Sequence, residues 1–144
     1  MKKLFIFSLL LGFAACSSNQ EADQNSSQPT EETLTTRIEA LLDADQYIEA
    51  IEILKNEDDS EEVLQLREIT YLNYGLFLEY RDSNVTNMRN KMNGALRQYI
   101  EVMRINPDNE KAITEIEQIL GIYSTFPDRS PDPDIMEALT ELGF

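Results

Sequence analysis

The sequence has 144 residues, room for one domain after processing, with 42% hydrophobic and 27% charged residues. A packed core is expected from that balance and wholesale disorder is not. Lys and Arg number 12 against 27 Asp and Glu, a net charge of −15; such a surface repels nucleic-acid phosphates and anionic head groups, so no nucleic-acid partner is expected and no polybasic patch assists a membrane. His is absent and Cys occurs once. These residues therefore offer no Ser–His or Cys–His nucleophile pair, no His or multi-Cys zinc site and no intrachain disulfide.

Residues 1–15, MKKLFIFSLLLGFAA, have the three parts of a secretory signal: Lys2 and Lys3, an apolar run from Leu4 to Phe13, and small residues Ala14 and Ala15. The run is short of the ~20 residues that span a bilayer. Removing the segment leaves 10 basic residues against 27 acidic ones, a charge of −17. Phe13-Ala14-Ala15-Cys16 resembles the bacterial lipobox, with Phe13 where Leu, Val or Ile is usual. The resemblance implies a diacylglycerol on the Cys16 thiol, cleavage just before it and acylation of the new amino group. At roughly 0.8 kcal/mol per buried CH₂, such chains anchor a protein to the membrane for good; ordinary cleavage would instead leave a free thiol. Ser17 stands where an Asp holds some lipoproteins in the inner membrane, so the resemblance implies a cell-envelope protein, lipid-anchored in the outer membrane and facing the periplasm. Residues 16–29 then form the lipidated Cys and a flexible tether: Ser17–Pro29 is polar and aperiodic, and flexible-chain scaling gives it a span of roughly 20 Å.

Residues 30–144 have helical apolar spacing almost throughout. Thr30 is expected to cap a first helix carrying Leu34, Ile38, Leu41 and Leu42, which breaks at Asp43-Ala44-Asp45. Tyr47, Ile48, Ile51 and Leu54 mark a short second helix. Asp59 and Glu62 can form a capping box for a third, about 60–81, which is apolar on most sides and so is expected to be the spine of the domain. A fourth runs from about Val85 to Ile105 and stops at Pro107; a fifth carries Ile113 to Tyr123. Asp132 and Pro133 open a last helix that Gly143 closes. The predicted fold class is all-α, an antiparallel helix-hairpin array of five to six helices.

Ala95-Leu96-Arg97-Gln98-Tyr99-Ile100-Glu101-Val102-Met103-Arg104-Ile105-Asn106-Pro107-Asp108-Asn109 resembles the second helix of a tetratricopeptide repeat. Asp45–Ala50 is similar to a turn and second-helix start, and Leu72–Tyr80, with Gly75, to a first helix. The spacing of 45 residues between Ala50 and Ala95 departs from the family's period. The resemblance implies an α-solenoid and a surface that binds proteins. The family's carboxylate clamp is not matched: Asn73 is present, but Leu72 and Leu76 stand where other clamp residues belong.

Candidate contact residues, from helix-face geometry, are Gln65, Asn73 and Arg81 on the third helix and Arg89 and Arg97 on the fourth. Ser83–Ile100 contains no acid; its bases either form an anionic-partner site or, the preferred reading, face acidic helices of the same domain. The run Glu57–Glu62 lacks the glycine and ligand spacing of an EF-hand and reads as a solvated turn. Tyr71, Tyr74, Tyr80, Tyr99 and Tyr123 are expected in the core. No catalytic residue, metal or cofactor is expected, and the chain reads as a non-enzyme. The expected function is a membrane-tethered protein–protein interaction module, a scaffold or assembly factor whose partner the sequence does not name. The alternatives are a lipoprotein holding an apolar ligand or lipid between its third and fourth helices and, less favoured, an envelope hydrolase.

Overall fold

Four of the six helix starts among the described residues are set by short polar side chains that take up free backbone N–H groups. In the computed structural model, which describes residues 33–126 and 128–144, Thr33 accepts from the Thr36 amide and opens α1 (Leu34–Asp43). Helix α2 follows at Tyr47–Lys55 after a turn in which Asp45 takes a positive φ of 58°. Ser60 accepts from the Val63 amide to open α3 (Glu61–Leu76), which runs on as a π-helical turn, Phe77–Arg81. Asn87 caps α4 (Met88–Ile105) through the Asn90 amide, and Asn109 caps α5 (Glu110–Ser124) through the Ala112 amide. Helix α6 (Pro133–Glu141) begins with Pro at its first turn and ends at Gly143, whose φ is +96°. The described residues contain six α-helices and no strand. The signal segment, Cys16 and the tether lie outside them.

Several expected boundaries move for local reasons. Thr30 lies outside the described residues, and the cap of α1 is Thr33. At α3 the cap is Ser60 rather than Asp59, because Asp59 is drawn to the Arg67 guanidinium at 2.5 Å and Glu62 accepts from the Thr35 hydroxyl at 2.6 Å. Helix α4 starts three residues later than expected, since Asn87 supplies the cap and leaves Val85 in the preceding loop. Asp132 holds the position before α6 but makes no side-chain cap bond; its carboxylate goes to Arg89 and Arg97.

The packing corrects the expected spine. Helix α4, not α3, supplies the largest share of the core: Met92, Ala95, Leu96, Tyr99, Ile100, Val102 and Met103 are buried with Ile116 and Ile119 of α5 and Ile135 and Leu139 of α6. At roughly 1.5–3 kcal/mol for each buried large aliphatic side chain, this cluster carries most of the hydrophobic stabilisation. A smaller cluster joins Ile38, Ala50, Leu54, Val63 and Leu66. Helix α3 packs on α1, α2 and α4, and α4 packs on α5 and α6. Yet the buried residues of α3 are Val63, Leu66, Thr70 and Gly75, while Ile69 and Tyr80 are exposed and Tyr71, Tyr74 and Phe77 are half-buried. Its apolar residues outnumber the neighbours available to cover them.

One contact fixes the α3–α4 distance. Tyr99 is fully buried, and a Cβ placed on Gly75 would fall 2.8 Å from its Cδ1 and closer still to Cε1. Only a residue without a side chain lets the ring lie there.

Candidate functional site

The apolar surplus of α3 lines an open groove. Ile48, Ile51, Glu52 and Lys55 follow the three- and four-residue spacing that puts side chains on one stripe of α2. Tyr71 and Tyr74 of α3 form the floor, and Arg97, Gln98 and Glu101 of α4 the far wall, of a hollow of about 460 Å³. A second hollow of about 620 Å³ continues from it, sharing Ile48, Glu52 and Tyr74 and extending over Phe77 and Leu78 to Asp82 and Asn84. Ile48, at the edge shared by the two hollows, is 61% exposed.

The upper end of the groove is held rigid by aromatic stacking and by one ion pair. Tyr47 stacks on Tyr74 with centroids 5.3 Å apart and leans on Phe77 at 5.4 Å. The Arg81 guanidinium lies 5.1 Å from the Phe77 centroid, where the ring face attracts a cation. Arg81 also donates to Asp45 and to the Tyr47 hydroxyl, each at 2.7 Å, and Tyr47 donates to Asp45 at 2.8 Å. The Tyr47 hydrogen bond, with Arg81 beside it, holds the Asp45 carboxyl below the usual carboxylate range. Burial pushes the Tyr47 hydroxyl up.

Beneath this end a partly buried polar network ties α3 to α4 and α5. Tyr99 donates to Glu79 at 2.9 Å, and Gln118 donates to Glu79 at 3.3 Å and to the Tyr80 hydroxyl at 2.7 Å. Tyr80 donates to Glu115 at 2.6 Å, and Lys111 pairs with the same carboxylate, which is 2% exposed. Burial raises the Glu79 carboxyl and the Tyr99 hydroxyl; burial and the bond to Glu115 push Tyr80 up to about 12. Each polar group here has a partner, so the network reads as a structural tie that fixes the π-helical turn. The space between α3 and α4, where an apolar ligand was the alternative, holds the Tyr99 ring against Gly75.

The candidate contact residues fall in different places. Asn73 and Arg81 share a cleft of about 360 Å³ with Glu39, Leu42 and Asp43 of α1. Asn73 donates to its own helix at Ile69, and Arg81 is paired as described. Arg89 and Arg97 converge on Asp132 at 3.1 and 3.2 Å, and Arg97 also meets Asp134 at 2.9 Å. The Asp134 carboxyl is held low by that contact with Arg97. Gln65 is exposed and donates to Glu61 at 3.4 Å. Three of these bases thus pair within the domain, but with acids in the α1–α2 turn and at the start of α6 rather than on the faces of its first helices.

The groove residues Tyr47, Ile48, Glu49, Glu52 and Phe77 were not singled out by the sequence, and Tyr71 and Tyr74 were expected in the core, not at a surface. The available signal was a third helix more apolar than its neighbours could cover. Among the described residues, no group of three or more His, Cys, Asp or Glu is placed to hold a metal ion, and no helix is long and apolar enough to cross a membrane. No family model, curated protein or solved structure matches this chain.

Proposed function

We propose that the chain is a membrane-tethered protein-interaction module of the bacterial cell envelope, anchored through lipid on Cys16 and acting as a scaffold or assembly factor. The observation that carries this reading is the groove of α2, α3 and α4: an aromatic floor of half-buried Tyr71, Tyr74 and Phe77 with exposed Ile48 at its edge. Contiguous apolar surface framed by polar residues is a common mark of protein contact sites. A tetratricopeptide-like array is the proposed finer architecture. It is supported by the lie of Tyr99 against Gly75, by contacts of α1 with α3 and of α4 with α6, and by the burial of Ala95. A signal sequence ending at Cys16, a polar tether and an outer-membrane, periplasm-facing address complete the proposal.

The test is affinity purification of the membrane-anchored protein after in-cell crosslinking, beside a Cys16→Ala version. A stoichiometric partner held only by the lipidated form is the expected result. No enriched partner, with both forms alike, overturns the scaffold.

A further inference from the structure

The charge around the groove selects its occupant; this inference rests on the interaction-module reading. Glu49 and Glu52 stand exposed along its α2 wall, with Lys55 at the far end of that wall, while Asp82 at the upper end is buried and accepts from the Asn84 amide at 2.8 Å. Glu49, Glu52 and Lys55 form no ion pair with a described residue, whereas Asp45 is taken by Arg81. At the other end Arg97 is committed to Asp132 and Asp134. The exposed, unneutralised charge beside Ile48 is therefore negative, from Glu49 and Glu52, with one cation, Lys55, at the far end.

With residues 1–15 removed, as the interaction-module reading has it, the segment before the domain offers nothing to fill the groove. Residues 17–32 hold four acids, no Lys or Arg and no large apolar side chain. A second copy brings a net charge of −15 against a surface of the same sign. We infer that the groove takes a basic amphipathic segment of a different protein. Apolar anchors of that segment lie on Ile48 and Tyr74, and its Lys or Arg residues lie beside Glu49 and Glu52. From Ile48 to Lys55 the α2 wall rises about 10 Å, so the segment engages about two helical turns or their extended equivalent.

The experiment titrates the full chain, in detergent, with two synthetic amphipathic helical peptides of about 16 residues. Both share one aliphatic stripe; Lys flanks it in one and Glu in the other. The Lys peptide is expected to bind about tenfold or more tightly than the Glu peptide, and to weaken with added salt. Glu49→Lys with Glu52→Lys is expected to reverse that order, and Ile48→Asp to remove binding of both. All three positions are exposed, so circular dichroism is expected to be unchanged in each variant. Equal binding of the two peptides, binding of neither, or insensitivity of the Lys peptide to these substitutions overturns the inference. In cells, a partner crosslinked through position 48 by an acidic or wholly polar segment overturns the occupant and leaves the interaction module standing; no crosslinked partner at all brings down both.

Discussion

Helix α3 meets aromatic rings on two sides, with opposite fates. On the side facing α4, Tyr99 is sealed against Gly75 and its hydroxyl has a carboxylate partner, Glu79. On the side facing α2, Tyr71 and Tyr74 stay half-buried beside exposed Ile48, and the space above them is open. Hydrophobicity alone does not separate the two. The difference lies in what the neighbouring helix brings: α4 brings a ring that fits a missing side chain, while α2 covers Tyr74 with the Tyr47 ring and leaves Ile48 exposed beside it. The first arrangement stabilises; the second leaves surface for a partner.

The contrast can be broken most strongly from the closed side. Gly75→Ala pushes a methyl group into the Tyr99 ring and is expected to cost about 1–3 kcal/mol in urea unfolding, as overpacking does. Gly121→Ala meets nothing within 4 Å and is expected instead to stabilise α5 by about 0.5–1 kcal/mol, the ordinary helical preference for Ala. Equal effects at the two glycines would mean that the α3–α4 contact is loose. Tyr99→Phe keeps the ring and removes the bond to Glu79, with an expected loss of about 1 kcal/mol by the same measurement.

The acid limbs of the stability curve sharpen the comparison. Burial raises the Glu79 carboxyl, so its stabilising contribution is full below the ordinary carboxylate pKa and is lost as pH rises through its folded value. The Asp45 carboxyl is lowered, so its contribution is present above the ordinary value and is lost as pH falls through the folded one. Unfolding midpoints at about pH 4 and about pH 7 bracket these changes. Relative to wild type, Glu79→Gln is expected to gain stability between the lower and the higher pH, and Asp45→Asn to lose it. The smallest effect belongs to the open side: Ile48→Asp replaces an exposed residue and is expected to change unfolding free energy by no more than about 0.5 kcal/mol. A large loss there would place Ile48 in the fold rather than at a surface.

Much of the fold was legible in the sequence because it rests on local rules. The breaks at Asp43–Asp45 and Asn106–Pro107, the Pro133 start and the Gly143 stop all fall where expected. Caps were less legible where two candidates stood side by side, as Asp59 and Ser60 do, since Arg67, further along the same helix, takes the Asp59 carboxylate. The groove was hidden for a related reason. Periodicity tells that α3 has apolar residues on several sides, but not how many of those sides a neighbour covers, so Tyr71 and Tyr74 looked like core and α3 looked like the spine. Asn73 and Arg81 were found on one cleft because they share a helix face, while Gln65, nearer the start of α3, lies apart from them.

The central claim is that the α2–α3–α4 groove is the contact surface. The most direct test places a photo-crosslinking side chain at position 48, and in parallel at Met136 on α6, in the full-length protein in its native cells. Both positions are exposed, so both can label a neighbour. The account predicts one stoichiometric crosslinked protein from position 48 and none from position 136. Equal labelling from both positions, or labelling from 136 alone, would contradict it.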